Sequence, residues 1–334
     1  MIYKKAMVTG GAGFIGSELV RQLIGKGIYV IVVDNLVNGK RSNLEGLPQE
    51  KFDLKELDIR EYKKIRQLLE GVDIIFHLAA LGVRHSIHSP YENHEVNAEA
   101  TLRLLMSARD AGTPRFVHVS TSEVYGTGYK VPMDEDHPTY PMTVYGASKL
   151  AGECYARAFY RTYGYPTVVI RPFNTYGPRS HYEGDSGEVI PKMILRAMAG
   201  KPLIIFGDGE QTRDFTYVSD TASGIIMTGI NDAAVGETVN IGSGKEITIN
   251  QLAEKIKDVV NSQGVEISHI EQRPGDTLRL YADISKAENL TSFVPEVGLD
   301  EGLARLAKWF RNREESPEEM LKREYAKNWL KVKD

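Results

Sequence analysis

Lys5-Ala6-Met7-Val8-Thr9-Gly10-Gly11-Ala12-Gly13-Phe14-Ile15-Gly16 decides the fold of this 334-residue chain. Lys5 to Thr9 reads as a short buried strand. The glycines follow at once, and an amphipathic helix runs from there to about Leu23. Strand, glycine loop and helix in that order form the context a dinucleotide fingerprint requires. The glycines allow a tight turn and a close backbone approach to a pyrophosphate. The helix N-terminus offers free N–H groups and a partial positive charge.

Moving outward, Tyr29 to Val33 is a second strand, and it ends in Asp34. A carboxylate there accepts both ribose hydroxyls of an adenosine and repels a 2′-phosphate, so it favours NAD over NADP. Lys40 and Arg41, a few residues on, read as a solvated loop. Asp58, within Leu57-Asp58-Ile59, has two readings: a partner for an adenine amino group, or a turn carboxylate. Glu61 to Glu70 reads as a helix. Val72 to Leu78 is a central parallel strand, with His77 a satisfied core histidine. Ala79-Ala80 then provides small side chains where a cofactor lies flat.

Two further segments carry chemistry. Val119 to Gly126 begins at the carboxyl end of the Arg115–Ser120 strand, where open α/β sheets bind ligands. It exposes Thr121, Ser122 and Glu123. Tyr145 and Lys149 are one helical turn apart on a helix from Tyr145 to Tyr163, so they share a face. A nearby ammonium lowers a phenol's pKa, which makes Tyr145 a candidate general base. Between these segments and the second strand, Leu81 to Tyr91 reads as a polar loop. Arg84 or Ser86 is placed there to touch a substrate. His85 and His88 lack the Cys or acidic partners of a metal site, so no metal is expected. Asn93 to Ala111 reads as one long helix, with Asn97 near its start.

Repeated strand–helix alternation from residue 3 to 173 implies an α/β fold, a Rossmann-type doubly wound parallel sheet. After Gly177 the pattern changes to a smaller C-terminal α/β substrate-binding lobe. The expected division is 1–178 for the nucleotide-binding domain, joined by about 215–245. The lobe takes 179–214 and 246–315, and 316–334 forms a charged tail, packed on a neighbour or loose. Arg179 to Glu188 reads as a mobile substrate loop, Val189 to Ala199 and Asn250 to Val260 as helices, the latter capped by Thr248. Arg213, Arg273 and Arg279 either grip an anion through the bidentate guanidinium fork or form surface ion pairs.

The net charge of −4 gives no reason to expect nucleic acid. Hydrophobic and charged fractions of 42% and 26% are those of a soluble globular protein. No apolar run reaches the roughly 18 residues of a membrane span, and Met1 to Lys5 leaves no room for a signal peptide. The single cysteine, Cys154, excludes an internal disulfide and fits a reducing cytoplasm. Its helix suggests a packing role.

TGGAGFIG at 9–16, VVDN at 32–35, FHLAA at 76–80, STSEVYG at 120–126, VYGASK at 144–149, RPFNTYGPR at 171–179, FGDGEQTRDF at 206–215 and RPGD at 273–276 follow one another in order. Together they resemble the extended short-chain dehydrogenase/reductases, the nucleotide-sugar epimerases and dehydratases. The resemblance implies a tightly bound NAD recycled in each turnover. Its contacts would fall on Gly10, Gly13, Phe14, Ile15 and Gly16, on Asp34, Asn35, Asp58 and Ile59, on Leu78, Ala79 and Ala80, and on Asn97, Ser120, Pro172 and Asn174. Lys149 would hold the ribose, and Tyr145 would take the proton of the sugar C4 hydroxyl while Thr121 bonds the C4 oxygen. Asn174, Arg213 and Arg273 would hold the diphosphate and Asp276 the ribose of a nucleotide-diphosphate sugar, with Val189 and Phe206 flanking the base. A homodimer pairing the helices 93–111 and 145–163 is also implied.

The reaction is narrower than the family. Glu123 stands where dehydratases of this family carry the base for the C5 proton, and a 4-epimerase has no use for it. Ser122 replaces the Asp of many dehydratases, which leaves the acid for the departing hydroxyl unassigned. Thr-Ser-Glu also occurs in UDP-glucuronate decarboxylases, but their proline-rich loop is unlike Leu81 to Ser89. The expectation is a 4,6-dehydratase, with a 4-epimerase next and a decarboxylase third. A non-catalytic NAD-sensing protein would be expected to lack the Tyr145/Lys149 pair.

Overall fold

The computed structural model describes residues 3–273 and 275–329. Met1 and Ile2 of the lead-in, Pro274 of the RPGD segment and the last five residues of the tail lie outside the described residues. Strands β1 (Lys5–Thr9), β2 (Tyr29–Asp34), β3 (Phe52–Glu56), β4 (Ile74–His77), β5 (Phe116–Val119) and β6 (Thr167–Pro172) form an all-parallel sheet. A seventh strand, Thr238–Ile241, returns from beyond residue 178 to pair with β6. The order is Thr238–Ile241, β6, β5, β4, β1, β2, β3. The order reverses next to β1, so the strand ends there open onto a crevice.

The strands read as near-continuous Val/Ile runs because helices cover both faces. Helix α1 (Phe14–Gly25) buries Leu19, Val20 and Leu23 on one face against Val8, Val30 and Val32. On the other face Leu104, Leu105 and Phe159 pack on Met7, Ile75 and Phe116. A second core lies in the lobe, where the helix Val189–Met198 meets the helices Ile249–Val260 and Leu299–Arg311. The Ile249–Val260 helix starts in a complete capping box from Thr248 and Gln251.

Two expectations are corrected, and a third gains detail. The polar loop Leu81–Tyr91 contains a helical turn and a half, Val83–His88, held from beneath by Asn93 Nδ2 on the Leu81 carbonyl at 2.9 Å. The long helix expected over 93–111 is present, running unbroken over 90–110 as Pro90–His94, a π-helical turn Glu95–Glu99, and Ala100–Asp110. Cys154 is exposed rather than packed, because its side of the Val144–Tyr163 helix faces away from the sheet. Among the described residues no helix is long and apolar enough to cross a membrane.

Candidate active site

One cavity of about 600 Å³ runs along the carboxyl ends of the strands and into the lobe. At one end lies the glycine turn. Gly10 has a φ of +69°, and a Cβ there would meet the Ala79 nitrogen at 2.8 Å. A Cβ on Gly16 would lie 2.0 Å from the Gly10 carbonyl oxygen. These glycines let α1 begin hard against the β1 turn, with its free N–H groups toward the cavity. Phe14 and Ile15 complete this wall.

Asp34 follows at the end of β2. One carboxylate oxygen accepts from Ala12 N at 3.0 Å and the other from Leu36 N at 2.9 Å. Burial pushes its pKa up, and these N–H groups partly offset that. Each oxygen keeps a lone pair for a ligand hydroxyl. Lys40 and Arg41 are engaged by Glu183 and Glu56, so neither stands free for a 2′-phosphate. Asn35, Asp58 and Ile59 line the same end, and Asn35 Nδ2 donates to Asp58 at 2.9 Å. Leu78, Ala79, Ala80, Ser120 and Pro172 line the middle.

Two cofactor and substrate expectations are corrected here. Asn97 does not line the cavity. Its amide is spent on the Leu81 N–H and carbonyl, both at 2.9 Å, so it holds the cavity's floor loop from behind. Ser86 is also outside the lining, because its hydroxyl donates back to the Val83 carbonyl at 2.6 Å. Arg84, two residues earlier, does reach the cavity. Its Nε is buried without a partner, and desolvation with the nearby Arg273 pulls its pKa down to about 10.

The reacting groups meet near the centre. Thr143 caps the Val144–Tyr163 helix by accepting from Gly146 N at 3.2 Å. A Cβ on Gly146 would meet the Glu123 carbonyl oxygen at 2.8 Å, so glycine lets this helix approach the Thr121–Glu123 turn. Thr121 Oγ1 in turn accepts from Glu123 N at 3.2 Å. Thr121, Ser122, Glu123, Tyr145 and Lys149 all line the cavity. The Glu123 carboxylate makes no hydrogen bond or ion pair among the described residues, and its charge reaches Tyr145, Arg84 and Arg213.

The expected electrostatics of the Tyr/Lys pair need correction. Desolvation pushes Tyr145 up to about 12, and the Thr121 hydroxyl only partly offsets it. Lys149 is buried, pulled down to about 8, and donates to the Val119 carbonyl at 2.7 Å. Its charge does not lower Tyr145 in this geometry. The phenol therefore stays neutral unless another positive charge comes to lie against it.

In the lobe, Asp276 bridges Arg213 and Arg273, each at 2.6 Å. Asn174, Val189 and Phe206 line this half, and Asn174 Oδ1 is buried without a partner. Arg279 faces outward onto Glu246 and is the surface ion pair. Sequence reasoning missed Glu188, which lines the cavity beside Arg84 and is pushed up to about 8 by desolvation. Its place just before Val189 was the available signal. It also missed Lys192, Glu324 and Asn328, the last two from the tail.

The residues fit a dinucleotide: a glycine cradle that a single Cβ would fill, a helix N-terminus, a carboxylate at the β2 end, and the unpartnered Ser120 hydroxyl. The fold and this cavity define a Rossmann-type nucleotide-binding protein of the short-chain dehydrogenase/reductase class. The GDP-mannose 4,6 dehydratase family model matches residues 7–306. A putative UDP-glucose 4-epimerase of Methanocaldococcus jannaschii is 38% identical over 311 residues, 92% of this chain and 98% of the relative. The UDP-N-acetylglucosamine 4-epimerase of Methanobrevibacter ruminantium, solved with UDP-N-acetylmuramic acid, superposes with a TM-score of 0.88 at 35% identity, covering 93% and 99% of the two chains. A dTDP-glucose 4,6-dehydratase from Streptomyces venezuelae, solved with NAD bound, gives 0.87 at 35% identity, covering 92% and 97%. The chain belongs to the extended short-chain dehydrogenase/reductase family of nucleotide-sugar epimerases and dehydratases.

Proposed function

We propose that this chain is an NAD-dependent nucleotide-sugar 4,6-dehydratase. The observation that carries the reading is the Glu123 carboxylate: it lines the cavity with Tyr145 and Thr121, and no described residue engages it. NAD, when bound, supplies reversible two-electron oxidation at sugar C4. Tyr145, neutral on its own, would ionise only beside the positive charge that bound NAD brings, and in that form would take the C4 hydroxyl proton while Thr121 orients that oxygen. Lys149 positions the ribose of the cofactor. Once C4 is a ketone, the C5 proton is acidic, and Glu123 removes it. Glu123 would then return that proton to the C6 hydroxyl as it leaves; C6 would regain the hydride given up at C4, and C5 would take a proton in place of the one that Tyr145 removed and releases to solvent, so the net loss is one water. The carboxylate of Asp34, with Lys40 and Arg41 both ion-paired, supports NAD over NADP.

Arg213, Arg273 and Asn174 hold the diphosphate, Asp276 the nucleotide's ribose, and Val189 and Phe206 flank the base. The Arg213–Asp276–Arg273 cluster supports this, because both guanidinium groups line the cavity, bridged by Asp276. A homodimer through the helices at 90–110 and 144–163 is supported by exposed Met106, Tyr160 and Tyr163 on them.

A 4-epimerase is the second reading, supported by the names of the relatives at 35–38% identity. Mass spectrometry after incubation with UDP-glucose, UDP-N-acetylglucosamine, dTDP-glucose and UDP-glucuronate separates the readings. Loss of one water establishes the dehydratase. An unchanged mass with a new sugar spectrum establishes the epimerase and reduces Glu123 to a structural carboxylate.

A further inference from the structure

The family match ends at residue 306, yet the chain after it does not hang free. Met320, Leu321, Asn328 and Trp329 are buried. Met320 and Leu321 join the core of the lobe. The described part of the tail, as far as Trp329, is therefore packed rather than loose, and one of its charges, Glu324, is spent on the cavity's own wall.

Glu324 is the clearest case. Its carboxylate accepts from Arg196 at 3.0 and 2.9 Å and lies 3.4 Å from Lys192. Both cations sit on the Val189–Met198 helix, and Lys192 also donates to the Tyr325 carbonyl at 2.8 Å. Asn328 donates to the Asp185 carbonyl at 3.1 Å and the Gly187 carbonyl at 2.9 Å. Gly184 N donates to the Arg323 carbonyl at 2.9 Å. The 181–188 loop is thus tied to the segment by its backbone. Trp329 packs edge-on against Phe206, with ring centres 4.9 Å apart. Glu324, Ala326 and Asn328 themselves line the cavity.

We propose that the segment Pro317–Trp329 is a built wall of the nucleotide-sugar pocket, and that substrate affinity in this chain depends on it. The segment fixes three pieces at once: the helix that begins at Val189, the loop that delivers Glu188, and the outer edge of Phe206. Among the described residues no hydrogen bond or ion pair joins it to the glycine turn or to Asp34. Its effect therefore falls on the nucleotide-sugar half of the cavity and spares the dinucleotide half. This inference rests on the nucleotide-sugar reading above.

The test uses the full-length, NAD-loaded protein and titration calorimetry with UDP, dTDP and GDP. Asn328→Ala and Trp329→Ala are compared with wild type, and a chain ending at Glu315 is the third variant if it melts cooperatively. The expected result is a loss of at least tenfold in nucleoside-diphosphate affinity for each point variant, with NAD affinity within about twofold of wild type. Wild-type affinity in both point variants overturns the wall alone. A parallel loss of NAD affinity also overturns it, since the segment then acts on the whole fold. A wild-type chain that binds none of the three diphosphates overturns the underlying nucleotide-sugar reading as well.

Discussion

The ammonium of Lys149 donates to the Val119 carbonyl at 2.7 Å, which ties the Tyr145 helix to the end of β5. Burial holds this lysine down to about 8. Between about pH 8 and its ordinary value of 10.5 the unfolded chain binds more protons at this site than the folded one. Stability from this group therefore rises with pH across that window. Lys192, also pulled down to about 8, adds the same sign. Lys149→Met should flatten the rise in melting temperature between pH 8 and 10 by about half. An unchanged slope would mean that the lysine is not desolvated as the geometry requires.

Glu188 works in the opposite direction. Desolvation in the cavity wall raises it from 4.5 to about 8. Between those values the folded chain holds the extra proton, so this group's contribution falls as pH rises. Glu188→Gln should remove that fall. Melting curves from pH 5 to 8 should be flatter for the variant, and equal slopes would sink the claim.

Tyr145→Phe should lower every turnover by roughly 10²–10⁴-fold, the ordinary worth of a positioned acid–base group. Glu123→Gln should stop water loss while C4 oxidation continues, seen as rising reduced-nicotinamide absorbance with no product of lower mass. Full activity in Glu123→Gln ends the dehydratase proposal.

Gly16→Ala places a Cβ 2.0 Å from a backbone oxygen that cannot swing away. The turn must open, so the variant should lose NAD affinity by more than tenfold and also melt earlier. Fluorescence titration with NAD checks the first effect and calorimetry the second.

Glu153 is fully buried and accepts from Arg171 at 3.0 and 2.7 Å, while Arg171 also donates to the Tyr125 hydroxyl at 2.8 Å. Glu153→Ala strands the guanidinium in the core. The expected loss is about 3–5 kcal/mol, read by urea denaturation. Glu153→Ala together with Arg171→Met should recover part of it.

Legibility followed range. The glycine turn, Asp34 and the Thr121–Glu123 and Tyr145–Lys149 segments were readable because each is local: a strand, a turn and a helix in consecutive residues. The neutral Tyr145 was not readable, because it depends on burial and on where the Lys149 ammonium points, and both are set by β5, 30 residues away. Asn97 and Ser86 were misplaced for a related reason. A polar residue near a strand end serves a ligand or the backbone equally well, and only the register of the π-helical turn sends Asn97 to Leu81. The tail carried no periodic signal; its charges matched a solvated segment as well as they matched Lys192 and Arg196.

The strand Thr238–Ile241 was made long after its neighbour β6, with some 65 residues, lobe segment 179–214 among them, synthesised between them. On a ribosome the edge of the cofactor sheet must wait open while the lobe emerges. Tyr125 waits with it, since its hydroxyl donates to Asn240 on that late strand at 2.7 Å. The nascent chain thus carries an unfinished, pairing-competent sheet edge for the whole of that interval, and a pause in translation before residue 238 would prolong the period in which two unfinished chains can pair with each other instead.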